Sequence, residues 1–455
     1  MRRFAVLLAA MVLVAACSDG GSGSDDGATT TSTASTTTTT RPSTASELED
    51  PVAGRVDDVL AFVESGEGDA ASLFAPSFLA QVSEADLRTL VEQELRPNGP
   101  FTVSSVVEST PTRAVLVLHG AVDLRMSIEV EAEAPNLVTT LFFAPESAPL
   151  TSWDDLDDRL GAAAPEVSVL AAEVVDGRCE PVHALDADRA QPLGSAFKLY
   201  VLGALDDAVQ AGTASWDETV PIQDDLRVQG SETYGATPAG TEVALADLAD
   251  AMISVSDNTA TDHLIDRLGR LSVYAEQRTM GMADSARNDP FLTTRELSLL
   301  KWGVPEEQRA AYVAADPVER KRLLEQLPAG PATDDRLDFG DEAQPVPVAI
   351  DDIEWFASAT DLCLAQVALH ARGPEVQHAL TINAGQGLRL DRDRWPTIAF
   401  KGGSEPGVLT LSWLATRDDG RTFFLAVLLA DPDADVPSTA AVDAAKGFDL
   451  LAELS

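Results

Sequence analysis

Apolar residues between positions 47 and 146 recur first at helical spacing and then at the alternating spacing of strands. The first pattern predicts helices, the last one capped by Ser83, at 52–64, 69–81 and 84–95. The second pattern, broken by turn residues, predicts strands at 101–108, 113–118, 122–132 and 136–143. Helices ahead of an antiparallel sheet predict a small α+β domain over residues 47–148, in which no acid–base pair stands out.

The pattern of residues 149–455 predicts a second domain with strands at both ends and helices between them. An acidic helix and a β-hairpin come first, at 151–164, 165–175 and 178–185. Helical segments follow over much of the stretch 202–382. Three more strands and a closing helix are predicted at 397–402, 408–416, 422–429 and 440–451.

The stretch 192–202 combines a tight turn, an apolar helix and a Ser-x-x-Lys pair. Gly194 allows a sharp entry into the helix, Ser195 lies at its start, and Lys198 lies on the same face of the first turn. A hydroxyl becomes a nucleophile when a base takes its proton, and a lysine can be that base if burial and nearby positive charge lower its pKa. The alternative interpretation is a helix N-cap serine followed by an exposed lysine.

The composition makes Lys198 more informative, because the chain contains very few lysines. Arginine supplies most of the 32 basic residues, and the lysines are Lys198, Lys301, Lys321, Lys401 and Lys446. A lysine kept on an apolar helix therefore suggests a chemical role. Two further motifs follow in the chain, after an apolar helical run and an apolar strand: Ser256-Asp257-Asn258 and Lys401-Gly402-Gly403-Ser404.

These motifs, with the segments GSAFKLYVL and MISVSDNTATDHL, resemble class A β-lactamases and penicillin-binding proteins over about residues 150–455. The resemblance implies a transpeptidase-like α+β domain, in which an antiparallel sheet built from both ends of the domain is flanked by helices. It also implies that Ser195 and Lys401 lie close together. The helices and sheet of residues 47–148 resemble cystatin or NTF2-like domains.

The two-domain arrangement is similar to that of proteins from clavulanic-acid biosynthetic clusters and of related actinobacterial envelope lipoproteins. The segments GSAFKLYVLGAL and EWFASATDLC carry this similarity. It implies an isomerase- or cyclase-like N-terminal domain ahead of a hydrolase with weak β-lactamase or esterase activity.

The resemblance implies a role for each polar residue of the three motifs. Ser195 is the nucleophile that forms a covalent ester, and Lys198 accepts its proton. Ser256 relays a proton to the leaving atom. Lys401 lowers the pKa of Lys198 and binds a substrate carboxylate.

Substrate binding is implied for the residues beside these four. The backbone N–H groups of Ser195 and Ser404 would form the oxyanion hole, and Asn258 would orient the substrate and Lys198. Gly402 and Gly403 would let a ligand approach the strand closely. Asp257 is predicted to brace the loop rather than take part in chemistry.

Two departures from the family pattern bear on the activity. Gly402 replaces the hydroxyl residue of the Lys-Thr/Ser-Gly motif, and Ser404 is the candidate substitute. The stretch 280–294, where class A enzymes carry the Glu that activates the deacylating water, is short and contains no Glu. Asp289 is the acid near the expected position, and Glu296, in the following helix, is predicted to face solvent.

The sequence therefore predicts a serine hydrolase acting through an acyl-enzyme on a β-lactam, amide or ester. An esterase or D,D-peptidase on the same site is the first alternative. A penicillin-binding or scaffold lipoprotein that does not turn over is the second. The expected partner is a small molecule such as a β-lactam, an ester or a peptidoglycan fragment. No cofactor is expected.

The N-terminal residues predict export. Residues 1–16 carry an arginine pair and a short apolar run typical of a signal peptide. Val14-Ala15-Ala16-Cys17 resembles a bacterial lipobox, which implies cleavage before Cys17 and a lipid on its sulfur. The alternative is an ordinary secretory signal with an incidental cysteine. Residues 17–46, rich in Ser and Thr, predict a flexible tether that holds the protein outside the cell membrane.

Charge and the remaining cysteines narrow the functional classes. The net charge of −42 argues against nucleic acid and anionic lipid as partners. Cys179 and Cys363 could pair in an oxidising compartment or stay as two buried thiols. The cysteines and the five histidines form no metal-ligand spacing, so no metal site is predicted. The protein is expected to be a monomer.

Overall fold

The computed structural model describes residues 48–79, 82–146, 148–339, 346–382, 390–437 and 439–454. The predicted signal peptide, Cys17 and the tether lie outside these residues. The chain divides into two compact units between Ala148 and Pro149. Within the described ranges, no helix has the length and apolar character required to cross a membrane.

The N-terminal unit consists of short helices followed by an antiparallel sheet. Its helices are α1 (Val52–Ser65), α2 (Ala70–Leu73), α3 (Pro76–Leu79) and α4 (Glu84–Leu90), the last continued by a π-helical turn, Val91–Leu95, and a 3-10 turn, Arg96–Asn98. The strands are β1 (Thr102–Thr110), β2 (Arg113–His119), β3 (Leu124–Val130) and β4 (Val138–Pro145). They pair in chain order.

The helix predicted at 69–81 is wrong as a single element. It is split because Phe74 is extended, with φ −107° and ψ 140°, and the chain restarts as a helix at Pro76. Proline lacks the N–H that a continuous helix would need there. The predicted cap is present, since Ser83 Oγ accepts a hydrogen bond from Asp86 N at 3.2 Å. Apolar residues of α1 and of the sheet form the core of this unit.

The C-terminal unit has the α+β composition that the sequence predicts. Its helices are α5 (Trp153–Ala163), α6 (Lys198–Gln210), α7 (Leu245–Ser254), α8 (Asn258–Leu268), α9 (Arg270–Thr279), α10 (Thr294–Ser298), α11 (Glu306–Ala314), α12 (Pro317–Leu324), α13 (Ala359–His370), α14 (Pro374–Thr381), α15 (Thr439–Ala445) and α16 (Gly447–Ala452). A π-helical turn, Leu299–Gly303, follows α10, and short 3-10 turns lie at Gly194–Phe197, Asp224–Leu226, Ser285–Asn288 and Asp334–Arg336.

The main sheet of this unit takes strands from both ends of its chain segment. The strands are β5 (Glu166–Val175), β6 (Arg178–Leu185), β11 (Thr397–Glu405), β12 (Val408–Thr416) and β13 (Thr422–Ala430). They lie in the antiparallel order β11-β12-β13-β5-β6. Two small pairs, β7 (Gln191–Pro192) with β10 (Phe356–Ala357) and β8 (Thr219–Pro221) with β9 (Glu242–Ala244), complete the unit.

Both faces of this sheet are buried, as alternate residues of β13 show. Leu425 and Val427 belong to one core, which α5, α15 and α16 cover. Phe424 and Leu428 belong to the other core, which contains α6 and the helices around it. Strand β11 thereby lies at the edge of the sheet with its inner face toward the helices, which is where the candidate site forms.

Two details at the rim of the sheet go beyond the sequence. The closing helix predicted at 440–451 is wrong as a single element: it is divided at Lys446, and the second helix begins at Gly447. A Cβ at that residue would lie 2.9 Å from Leu425 Cδ2, so the glycine lets the chain pass close to the sheet. Of the two possibilities for the cysteines, the structure has the disulfide, between Cys179 on β6 and Cys363 on α13.

Candidate active site

We call residues 193–197 the nucleophile turn, because they contain Ser195, the predicted nucleophile. One side of this turn packs against the segment that contains Trp355. Leu193 N donates to Trp355 O at 2.8 Å, and the Phe197 ring stacks on Trp355 with centroids 3.6 Å apart. Gly194 has φ +49°, a conformation that favours glycine. The turn then continues into α6, with Ser195 partly exposed at its start.

Strand β11 packs directly against this turn through its glycines. A Cβ at Gly403 would overlap Leu193 O and the backbone nitrogens of Ser195 and Ala196. A Cβ at Gly194 would lie only 2.9 Å from Ser404 N. The backbones around Ser195 and Ser404 are therefore in close contact, as an oxyanion hole formed by their N–H groups would require.

Lys198 is fully buried and points at the Ser-Asp-Asn loop. Its Nζ lies 2.6 Å from Ser256 O, 3.1 Å from Ser256 Oγ and 2.6 Å from Asn258 Oδ1. These three acceptors match the three donors of an ammonium group. Among the described residues, no hydrogen bond joins this Nζ to Ser195 Oγ, so the direct Ser195–Lys198 contact is not formed in this conformation.

Lys401 reaches the same loop from the strand. Its Nζ donates to Ser256 Oγ at 3.0 Å and to Gly402 O at 2.7 Å. The Ser256 hydroxyl thus lies between two buried amino groups. Burial lowers the pKa of Lys198 to about 7. Burial, followed by the charge of Lys198, lowers the pKa of Lys401 well below its usual range.

The loop that carries Ser256 has an unusual backbone and a buried brace. Ser256 has φ +60°, which is uncommon for a residue with a side chain. Asp257 is buried, caps α8 through Ala260 N at 2.8 Å, and accepts from Thr233 N and Tyr234 N at 2.9 Å each. Its contacts are those of the bracing residue that the sequence predicts.

The remaining predicted site residues differ in their orientation. Asn258 connects Lys198 to a neighbouring segment. Its Oδ1 accepts from Lys198 Nζ at 2.6 Å, and its Nδ2 donates to Gln229 O at 2.8 Å. Gly402 faces away from the turn, since a Cβ there would lie 2.9 Å from the Phe400 ring and 3.3 Å from Thr410 O. Ser404 is exposed at the end of the strand.

The carboxylates of the stretch 280–296 are engaged in local contacts. Asp289 pairs with Lys321 at 2.8 Å. The prediction that Glu296 faces solvent is wrong. Its side chain pairs with Arg270 at 2.6 Å and accepts from Thr293 N at 3.0 Å in a capping box, because a glutamate at this helix position can satisfy the N-cap backbone.

Asp262 on α8 anchors this stretch, a role that was not predicted. Its carboxylate accepts from Thr294 N at 2.8 Å, Thr294 Oγ1 at 2.6 Å and Arg295 N at 2.9 Å. Burial raises its pKa to about 6, and these hydrogen bonds oppose the shift. Its position one turn after Asn258 ties the segment to the helix that supports the loop.

A second buried cluster beside the nucleophile turn was also missed. Glu354 Oε2 accepts from Gly194 N at 3.2 Å and from Trp355 N at 2.9 Å, while Oε1 lies 3.5 Å from Lys301 Nζ. Lys301 also forms an ion pair with Glu405, at the end of β11. The scarcity of lysine and the apolar surroundings of Lys301 in the sequence were the available signals. No group of three metal-ligating side chains occurs among the residues described.

Two family models match parts of the chain, one in each unit. Residues 152–333, in the C-terminal unit, match the model of the beta-lactamase enzyme family. Residues 53–138 match the model of the ORF 12 gene product N-terminal domain. No curated protein sequence matches the chain significantly.

Several solved structures are similar to about two thirds of the chain. A beta-lactamase from Sphaerobacter thermophilus is 20% identical, with 67% of this chain and 98% of that chain covered and a TM-score of 0.47. A beta-lactamase from Chitinophaga pinensis is 15% identical, with 66% and 98% covered and a TM-score of 0.44. The penicillin-binding protein PBP-A is 17% identical, with 67% and 99% covered and a TM-score of 0.42.

Proposed function

We propose that the protein is a serine hydrolase in which Ser195 forms an acyl-enzyme with a β-lactam, amide or ester carbonyl. The family match of residues 152–333 supports a serine hydrolase type of function in general. The observation that carries the finer proposal is the convergence of Lys198 and Lys401 on the hydroxyl of Ser256, next to the turn that presents Ser195.

Acylation requires Lys198 in its neutral form. With a pKa of about 7, much of this amine is unprotonated at neutral pH. A neutral amine has two N–H groups, which the Ser256 carbonyl and Asn258 Oδ1 can retain at 2.6 Å each. Its longest contact, 3.1 Å to Ser256 Oγ, is the one it gives up when the lone pair turns to Ser195.

The chemical step then transfers one proton and one acyl group. The Ser195 proton moves to Lys198 as the Ser195 oxygen bonds to the substrate carbonyl carbon. The resulting oxyanion accepts from Ser195 N–H and Ser404 N–H. When the bond to the leaving nitrogen or oxygen breaks, the Ser256 hydroxyl gives that atom a proton. The ammonium of Lys198, which carries the proton taken from Ser195, then returns a proton to Ser256. Lys401 Nζ, hydrogen-bonded to the same hydroxyl, is the group that binds a substrate carboxylate.

Slow hydrolysis of the ester is the second candidate outcome, and the stretch 280–296 favours it. Asp289 is paired with Lys321, and Glu296 is bound to Arg270 and its own helix cap. In the described part of the chain, neither carboxylate is thus available to activate water. A protein with this site would accumulate the acyl-enzyme and act as a penicillin-binding protein, an esterase or a D,D-peptidase with slow release.

The proposal also covers the N-terminal segment and the first domain. We propose that a lipid on Cys17 anchors the exported protein to the outer side of the cell membrane, with residues 17–46 as the tether. The domain of residues 47–148 is cystatin- or NTF2-like, with an isomerase- or cyclase-like origin, and it binds or positions the substrate. The protein acts as a monomer without a cofactor.

Covalent labelling of the full chain tests the nucleophile. A fluorescent penicillin and a fluorophosphonate should label the protein, and Ser195→Ala should abolish both signals. Ser272→Ala, an exposed serine on α9, is the matched control and should label normally. Labelling of Ser195→Ala at the original level would refute the assignment.

Turnover assays then separate the candidate activities. Comparing the rate of nitrocefin hydrolysis with the rate of p-nitrophenyl acetate hydrolysis distinguishes a β-lactamase from an esterase. Intact mass after penicillin treatment shows whether the adduct persists. A persistent adduct without product release identifies the penicillin-binding alternative.

A further inference from the structure

The two sides of the nucleophile turn carry different buried polar groups. Along β11, residues 401, 403 and 405 point to the same face because side chains alternate along a strand. Gly403 contacts the turn at Ser195 N, Lys401 reaches Ser256 on one side, and Glu405 reaches Lys301 on the other. The proposed base and relay thus lie on one side, and the Lys301 cluster lies on the other.

Glu354 connects this second cluster to the turn by hydrogen bonds. It is 4% exposed, and one carboxylate oxygen accepts from both Gly194 N and Trp355 N. The Gly194 N–H belongs to the residue immediately before Ser195, and Trp355 carries the ring on which Phe197 stacks. A single carboxylate oxygen therefore fixes the entry to the turn and the segment that packs against it.

The cluster contains more carboxyl groups than basic groups. Lys301 is 1% exposed and provides one positive charge for two carboxyl groups. Burial raises the pKa of Glu405 to about 8, although Lys301 opposes the shift, and Glu354 adds to it. Of the two carboxyl groups, Glu354 is the one that also accepts from backbone N–H groups of the turn and of the segment beside it. Ionised acceptors form the stronger hydrogen bonds to N–H groups.

We propose that Glu354 is a positioning residue for Ser195: its carboxylate, balanced by Lys301, holds the nucleophile turn in the geometry needed for acylation. This inference rests on the proposed function of Ser195 as the nucleophile. Glu354 acts through the backbone of the turn and does not contact the substrate. Glu405 contacts Lys301 on the other side of the cluster.

The assignment makes the two glutamates of the cluster respond differently to the same substitution. Glu354→Gln removes the charge and makes the paired acceptor oxygen weaker, so the turn loses its fixed position. Glu405→Gln alters a side chain that contacts Lys301, and the turn keeps its hydrogen bond to Glu354. Each variant is made in the full chain and compared by the saturation kinetics of labelling with the fluorescent penicillin, which separates noncovalent affinity from the first-order acylation rate.

We expect Glu354→Gln to lower the first-order acylation rate by about 10- to 100-fold, the scale of a misplaced reacting group. Its noncovalent affinity should stay within about twofold, because Glu354 does not contact the substrate. Glu405→Gln should acylate within about threefold of the original rate. If Glu354→Gln does not fold, Glu354→Asp takes its place in the test. This variant keeps the carboxylate on a shorter side chain, and a lowered acylation rate is expected.

The outcomes separate this inference from the proposed function. Absence of labelling in the unmodified protein would contradict the proposed function itself. If the unmodified protein is labelled and Glu354→Gln acylates at the same rate, only the positioning role is overturned. An equal loss in Glu405→Gln, or a loss of affinity in place of rate, would also overturn it.

Discussion

Lys198 and Lys301 are two buried lysines on opposite sides of one nucleophile turn, and their surroundings differ in charge. Lys198 is hydrogen-bonded to a carbonyl, a hydroxyl and an amide oxygen, and it lies beside a second buried lysine, Lys401. Lys301 contacts two carboxyl groups, those of Glu354 and Glu405. Exposure does not distinguish the two, since both are at most 1% exposed.

The comparison shows that the partners of a buried lysine determine its chemistry. Burial lowers the pKa of Lys198 to about 7 although the nearby Asp257 and Asp262 oppose the shift, and no carboxylate forms an ion pair with it among the described residues, so Lys198 is suited to act as a base. An ammonium between carboxyl groups is held by opposite charge, so Lys301 is suited to hold structure. In the proposed mechanism, the same residue type therefore provides the base on one side of Ser195 and holds the turn on the other.

The largest expected effect comes from removing the proposed base. Lys198→Met should lower the acylation rate by about 10²- to 10⁴-fold, the usual contribution of a general base. In the unmodified protein, the rate should rise with pH through about 7, because the neutral amine accepts the proton. Labelling rates measured from pH 5 to 9 check both results. A pH-independent rate in the unmodified protein would contradict Lys198 as the base.

The second test compares the two lysines by stability. Lys301→Met removes the basic group that faces the buried Glu354 and Glu405, so we expect a loss of about 3–5 kcal/mol in the free energy of unfolding. Lys198→Met strands no opposite charge and should cost clearly less. Calorimetric unfolding of the two full-chain variants measures the difference. Equal losses would remove the distinction between the two sites.

The smallest effect is expected at an exposed lysine. Lys321 pairs with Asp289 at 2.8 Å with its side chain 48% exposed, and such pairs contribute little because solvent screens them. Lys321→Ala should change the unfolding free energy by less than about 0.5 kcal/mol. The substitution also releases Asp289, so an increase in nitrocefin turnover would show that Asp289 can activate the deacylating water.

The strands and the motif residues were predictable because their signals are local. Strands 408–416 and 422–429 stand out as segments rich in apolar residues, and the structure has them at Val408–Thr416 and Thr422–Ala430. The three motifs that the resemblance selected supply the groups that meet around Ser256. Spacing within each motif also indicated that Lys198 and Ser195 share a helical turn.

The contacts between distant segments were not predictable from spacing. Glu354 lies 160 positions from Gly194, and Glu405 lies 104 positions from Lys301, so nothing local relates either pair. Glu296 illustrates a different limit, because helical spacing does not reveal that Arg270 lies within reach. The hydrogen bonds of Lys198 also depend on the positive φ of Ser256, which sequence alone does not specify.

The disulfide between Cys179 and Cys363 closes a covalent ring of the intervening chain. Ser195, Ser256 and Glu354 belong to this ring, whereas Lys401 lies on the chain that leaves it. A protease that cuts one peptide bond inside the ring leaves both pieces attached through sulfur. A cut between Cys363 and β11 would instead break the covalent connection to the strand that carries Lys401. The site therefore combines residues inside the disulfide ring with a residue whose covalent link to them a single cut can remove.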